Sequence, residues 1–198
     1  MTQVRFEGLR TIRTLSAEAL PCRAPCGPQP STRRTIRPVS TADERVIQAA
    51  AAAGLEIEVR RFPEGTRTAV DAARAVGCEV GQIVKSLVFL ADGVPVVALV
   101  SGADRLDTAR LGTAVGASQV ERADGDAVRA ATGYAIGGVP PFGHAVPMTV
   151  VMDHRLLAHD VVWAAAGRPD AVFPIAPDDL LRASRATVAD VAEDQPTT

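Results

Sequence analysis

Residues 83–100 dictate the centre of the fold. Ile83-Val84-Lys85-Ser86-Leu87-Val88-Phe89-Leu90 is an apolar run of strand length, and Val94 to Val100 is a second. Between them stands Ala91-Asp92-Gly93, which is turn chemistry. Two apolar runs about an Asp-Gly turn specify an antiparallel hairpin. Pro95 falls near the start of the returning strand, where a missing N–H is tolerated.

The hairpin contains the only lysine of the chain, Lys85. Side chains on a strand alternate between faces, so Lys85 shares a face with Ile83, Leu87 and Phe89. An ammonium in that company must reach the strand end, find a partner or lose its proton, because an unpaired buried charge is costly. Lysine can change protonation state and act as a compact point charge, which arginine does not. Lys85 is therefore a candidate catalytic cation. A strand-end lysine with its stem on apolar surface and its head in water would read the same way.

The flanking segments alternate between helical and extended patterns. Ser40 or Thr41 can cap a helix that carries Asp43 and Glu44 in its first turn and stops at Gly54. Leu55 to Phe62 alternates as a strand, with Leu55, Ile57 and Val59 on one face. Thr68 to Val76 reads as a helix closed by Gly77. Leu106 to Val115 and Asp124 to Ala131 are helical, with a short strand near Gln119 to Glu121 between them. Met148 to Met152 is a buried strand, and Val161 to Ala165 and Ala171 to Ile175 are two more. Pro177 to Ala183 is a capped helix, and Thr187 to Val191 a last strand. Hairpins mixed with separated helices predict a single α+β domain over residues 41–193, with a mixed, curved, barrel-like sheet flanked by helices. Residues 194–198 read as a tail.

Charge separates this body from what precedes it. Residues 1–40 hold seven arginines against Glu7 and Glu18, a charge of +5 in a chain whose net charge is −2, so the remainder carries about −7. Five prolines and no sustained periodicity make residues 1–40 a basic, proline-rich, disordered extension. The acidic body lacks the basic face of a general nucleic-acid binder. With one Trp, one Tyr and five Phe it also lacks an aromatic stacking platform. No apolar run approaches the ~20 residues of a membrane helix, and the N-terminus shows no signal-peptide pattern; a cytoplasmic location is expected. Cys22 and Cys26 have no further pair or nearby histidine to complete a zinc site, and neither a metal nor a cofactor is expected. No Gly-x-Ser-x-Gly elbow or Ser-His-Asp set appears.

The second chemical feature is the segment Thr132-Gly133-Tyr134-Ala135-Ile136-Gly137-Gly138-Val139-Pro140-Pro141-Phe142-Gly143-His144. Its prolines fix φ, and its glycines allow positive φ or close backbone approach, so it is a rigid, irregular loop. Such a loop can aim backbone N–H groups at a carbonyl or a ribose hydroxyl. It has neither the dinucleotide fingerprint nor the Gly-Lys-Ser/Thr ending of a phosphate loop. A long connection needing turn chemistry before Met148 is the alternative.

Taken together, Lys85-Ser86-Leu87-Val88-Phe89, then Gly138-Val139-Pro140-Pro141-Phe142-Gly143, then Gly167-Arg168-Pro169 and Pro177-Asp178-Asp179-Leu180-Leu181, resemble the YbaK/EbsC family over residues 41–193. These are free-standing relatives of the editing domain of bacterial prolyl-tRNA synthetase. The resemblance implies trans-editing: hydrolysis of the ester joining a wrong amino acid to the terminal adenosine of a tRNA, with the acceptor end of aminoacyl-tRNA, and prolyl-tRNA synthetase itself, as partners. Carried over, Lys85 holds and orients the terminal phosphate region or the ester, and Ser86 supplies an adjoining hydroxyl. Gly138, flanked by Gly137 and shaped by Pro141 and Gly143, brings backbone to the ribose or scissile carbonyl. Tyr134, Phe142 and His144 are candidates to line the selecting pocket.

The chain departs from the cysteinyl-tRNA(Pro) branch at Pro140, where that branch has serine. It departs again at Phe142, and at Val172 and Phe173, where an aspartate is usual. Alanine, serine, threonine or a small non-protein amino acid are all open as the edited residue. The competing class is a non-catalytic module that binds an aminoacyl end or a small ligand without turning it over.

Overall fold

The computed structural model describes residues 41–62 and 68–194. The basic extension, Cys22, Cys26 and the last four residues of the tail lie outside them.

Helix α1 (Ala42–Ala52) starts where the acidic residues predict: the Thr41 N–H donates to the Glu44 carboxylate at 2.8 Å. Gly54, at φ 76°, then reverses the chain. Leu55, Ile57 and Val59 pack on the main core while Glu56 and Glu58 face solvent, as the alternation requires. Only β1 (Arg60–Arg61) pairs, however, lying antiparallel to β7 (Ala171–Ile175). The strand expected over residues 55–62 is thus mostly extended chain without a ladder partner. Helix α2 (Ala69–Val76) is capped by Thr68, whose hydroxyl accepts from the Asp71 N–H, and closed by Gly77 at φ 78°.

The central hairpin forms as predicted. β2 (Val84–Ala91) and β3 (Val94–Ser101) pair antiparallel from Val84↔Ser101 to Ala91↔Val94. Asp92 and Gly93 take φ of 49° and 80°, the left-handed pair that matches strand twist in a two-residue turn. Asp92 tolerates this because its carboxylate accepts the N–H groups of Ser118 and Gln119 at 3.0 and 2.8 Å. Those bonds also seat β4 (Val120–Arg122) beside β2.

The larger sheet has the order β4-β2-β3-β5-β8, with β5 (Thr149–Asp153) and β8 (Thr187–Ala189) added in parallel. Helix α3 (Thr108–Val115) covers one face, setting Leu111 against Phe89, Val96, Ala98, Val100 and Val151. The other face presents Val84, Val88, Val97, Leu99 and Met152 to α1, to α4 (Gly125–Thr132), to α5 (Pro177–Ser184) and to a second sheet. Leu99, Met152, Phe173 and Leu180 are fully buried there, and each contributes about 1.5–3 kcal/mol by leaving water.

The second sheet is antiparallel, in the order β1-β7-β6, with β6 spanning Val162–Ala165. A bridge between Ile83 and Trp163 links it to the larger sheet. The mixed sheet is as expected, but the barrel is not closed. The reason is the length of β4, which pairs with β2 only from Phe89 to Ala91. From Val84 to Val88 the second edge of β2 has no ladder partner among the described residues: β6 approaches it without pairing beyond the Ile83–Trp163 bridge, and only the Val88 carbonyl is taken, by the Ala123 N–H at 3.2 Å.

Candidate active site

A cleft of about 330 Å³ runs along that unpaired edge. Its floor is residues 83–88. The start of α2 (Thr68, Ala69, Ala72) forms one wall, and Trp163, Ala165 and Val172 of the smaller sheet form another. The rim is completed by Arg122 at the end of β4 and Ala123 after it, by Val128 of α4, by Ile136, Gly137 and Val139 of the glycine-rich loop, and by Arg168. Lys85 and Ser86 point to opposite faces, yet both line the cleft because it follows the strand's edge. Among these residues are three cations and no carboxylate, histidine or cysteine. Apart from Thr68 and Ser86 the rest of the lining is apolar, so any charge brought into it is poorly screened.

Lys85 meets the demand its position creates. Its Nζ donates to the backbone carbonyl of Gly102 at 3.3 Å and to that of Asp104. Half-burial pushes its pKa below the usual 10.5; the Asp104 carboxylate works the other way, and Arg105 lowers it further. Two of the three ammonium protons are engaged by carbonyls, which leaves one to aim at a ligand. Ser86 complements it: its Oγ is buried and has no hydrogen-bond partner among the described residues. A buried hydroxyl without a partner costs about 1–3 kcal/mol, a cost that a ligand donor or acceptor in the cleft would remove.

The glycine-rich loop is clamped on the side away from the cleft. The Thr132 hydroxyl donates to Val128 O at 2.7 Å and accepts from the Tyr134 N–H at 3.0 Å. The Tyr134 hydroxyl donates to Gly143 O at 3.0 Å, and the Arg45 guanidinium stacks 4.4 Å from its ring. The His144 Nε2–H donates to Pro140 O at 2.8 Å, and burial holds the ring's pKa below 6.5. Phe142 lies 5.7 Å from Phe173. Tyr134, Phe142 and His144, expected along the selecting pocket, are therefore outside its lining, as are Pro141 and Gly143. Tyr134 and Phe142 are only 2% and 5% exposed, because the core between the sheets offers their rings more apolar surface than the cleft does.

Gly137, at φ 83°, lies at the cleft, whereas Gly138 is buried beneath it. A β-carbon at residue 138 would stand 2.8–2.9 Å from the backbone of Arg168. Glycine is needed there so that the turn Gly167-Arg168-Pro169 can pack on the loop. Gly167 has its own constraint: its φ is 88° and its missing β-carbon would be 2.7 Å from Ala42 O. The expected approach of Gly138 to a substrate is, in the fold, an approach to Arg168.

Trp163, Arg168, Arg122 and Thr68 carry no site signal of their own in the sequence, although Gly167-Arg168-Pro169 belongs to the family resemblance. Cys78, half-buried, gives its thiol to Glu79 O at 3.3 Å, and burial raises its pKa. Asp153, His154 and Asp190 bring possible metal-ligand atoms within 4.8 Å of one another. The Asp153 oxygens already accept N–H groups of Arg155, Val191 and Ala192 at 2.9 Å each, a structural role. Among the described residues no helix is long and apolar enough to cross a membrane.

The profile of the aminoacyl-tRNA editing domain matches residues 63–183, which contain the whole cleft. The chain belongs to that family. Among solved structures it is similar to a candidate trans-editing enzyme for prolyl tRNA synthetase, with a TM-score of 0.74 and 44% identity over 79% of this chain and 99% of the other. It is 28% identical to EbsC of Enterococcus faecalis, named as a candidate Cys-tRNA(Pro)/Cys-tRNA(Cys) deacylase, over 66% of this chain and 80% of that one. It is 38% identical to the proline–tRNA ligase of Citrifermentans bemidjiense over 92 residues. Those residues are 46% of this chain and only 16% of the ligase. The family matches the one that residues 85–89, 138–143 and 167–169 resemble.

Proposed function

We propose that this editing domain is a trans-acting aminoacyl-tRNA deacylase, hydrolysing the ester of a small amino acid wrongly attached to tRNA. The observation that carries the reading is the composition of the cleft: Lys85, Ser86 and the backbone of Gly137 share one small cavity with two arginines and no acidic group. A volume of about 330 Å³ suits an aminoacylated nucleoside end rather than a folded RNA. The names of the relatives point to tRNA-Pro as carrier and to work beside prolyl-tRNA synthetase.

The residues present define the chemistry. An aminoacyl ester is already activated, so holding it in place and stabilising the oxyanion do most of the work. Lys85 provides a fixed positive charge, and the Ser86 Oγ provides a hydroxyl that can orient the attacking water or the substrate's own amine. Water adds to the carbonyl carbon, the carbonyl electrons move to oxygen beside the ammonium, and collapse expels the ribose hydroxylate, which takes the proton. The products are a free amino acid and an uncharged tRNA. The lining offers Ser86 no histidine or carboxylate as general base, so water is taken as the nucleophile.

Incubation with tRNA charged with alanine, serine, threonine or cysteine tests the reading. At least one ester is expected to be released well above its spontaneous rate. Saturable binding of charged tRNA with no acceleration of any ester would replace the enzyme by the non-catalytic module.

A further inference from the structure

Resting on the deacylase reading, we infer that Arg168 grips the phosphodiester linking the aminoacylated nucleoside to the rest of the tRNA. Arg168 lines the cleft, and its backbone is fixed by close packing on Gly138. Its guanidinium is fixed as well: Nε and Nη2 donate to the two oxygens of Asp170 at 2.8 and 3.0 Å. A guanidinium carries five N–H donors, and this fork uses two. The remaining end-on edge, with one hydrogen each from Nη1 and Nη2, is the geometry that receives two non-bridging phosphate oxygens.

The other cations of the cleft are less suited. The Lys85 ammonium is held by the carbonyls of Gly102 and Asp104. Arg122 is exposed at the end of β4, and no described residue holds its side chain in one orientation. The ligand's chemistry is also constrained. The α-ammonium of an aminoacyl group is repelled by an arginine, the amino acid's carboxylate is consumed in the ester, and the phosphodiester is the one anion such a substrate brings. Asp170 keeps the guanidinium in place before substrate arrives, and the Asp43 carboxylate, itself held by Arg61, adds a favourable charge nearby. They make the local charge less repulsive to other cations without removing the free edge.

The test compares two esters of the same amino acid: one on a short RNA ending in CCA, the other on adenosine alone, which has no phosphate. Arg168→Ala is expected to lower kcat/KM on the RNA about 10- to 100-fold, mainly through KM, and to leave the nucleoside ester nearly unchanged. Arg168→Lys keeps charge but not the fork and should recover only part of the loss. Adenosine 5′-monophosphate should inhibit the wild type better than adenosine does, and the two should inhibit Arg168→Ala equally. This arm decides the matter where the nucleoside ester turns over too slowly, and melting curves confirm that the variants fold. Equal losses on both esters, or no loss on the RNA ester, overturn the inference while the wild-type activity keeps the deacylase reading. A wild type that hydrolyses neither ester ends both.

Discussion

Lys85→Ala is expected to slow ester release by about 100-fold or more, the usual cost of losing one charged or oxyanion-stabilising donor. The protein should remain folded. The deletion strands two carbonyls, Gly102 O and Asp104 O, at a cost of about 1–3 kcal/mol, but it also removes a charge that burial disfavours. Lys85→Arg should recover little, because a planar guanidinium cannot take the compact position of an ammonium between two carbonyls. The wild-type rate, corrected for spontaneous hydrolysis, should fall on the alkaline side at a lower pH than an exposed lysine would give. Burial lowers the Lys85 pKa from 10.5, so the needed charge is lost earlier as pH rises. Single-turnover rates and melting curves on the same preparations check this. A folded Lys85→Ala protein with full activity would remove Lys85 from the site.

Gly138→Ala is the second large effect, and here stability should fall together with activity. Alanine adds a methyl at residue 138, which the family resemblance sets beside the ribose or scissile carbonyl. In the structure it would stand 2.8 Å from the Arg168 α-carbon and 2.9 Å from that residue's carbonyl carbon and amide nitrogen. Backbone cannot yield as a side-chain end does, so the loop and the Gly167-Arg168-Pro169 turn must separate. Overpacking of this kind costs about 1–3 kcal/mol, and the separation carries Arg168 and Gly137 away from the rim. Gly137→Ala makes the informative control: its β-carbon would come no closer than 3.8 Å to Pro169, so only its φ of 83° opposes the change. Thermal denaturation should rank Gly138→Ala below Gly137→Ala. The reverse order would show that the contact with Arg168 is not what requires glycine at residue 138.

The hairpin, the mixed sheet and most helix ends were legible because their signals are local. Thr68, Gly77 and Asp92-Gly93 each do in the fold what their chemistry allows. The strand over residues 55–62 was misjudged for a physical reason: alternation reports which side chains are buried, not whether a neighbouring backbone is present to pair. The unclosed barrel has the same origin, since the length of β4 decides how much of β2 remains open, and nothing in residues 84–88 records it. Lys85 and Ser86 were readable as a polar pair in an apolar strand. Tyr134, Phe142 and His144 turn to the core side of their loop, and a loop's sequence does not say which of its sides meets the core. Trp163 and Arg168 reach the cleft only through long-range packing. A turn bearing an arginine next to a glycine was the available signal for Arg168, and it became meaningful only once Gly138 lay against it.

The claim that this cleft receives the aminoacyl end can be tested through Trp163, the only tryptophan of the chain and one of the cleft's walls. Titration with an aminoacyl-adenosine analogue, whose ester is replaced by an amide, should change its fluorescence saturably. The same titration of Lys85→Ala should show clearly weaker binding. An analogue that inhibits deacylation yet leaves Trp163 emission unchanged would place the chemistry elsewhere on the protein.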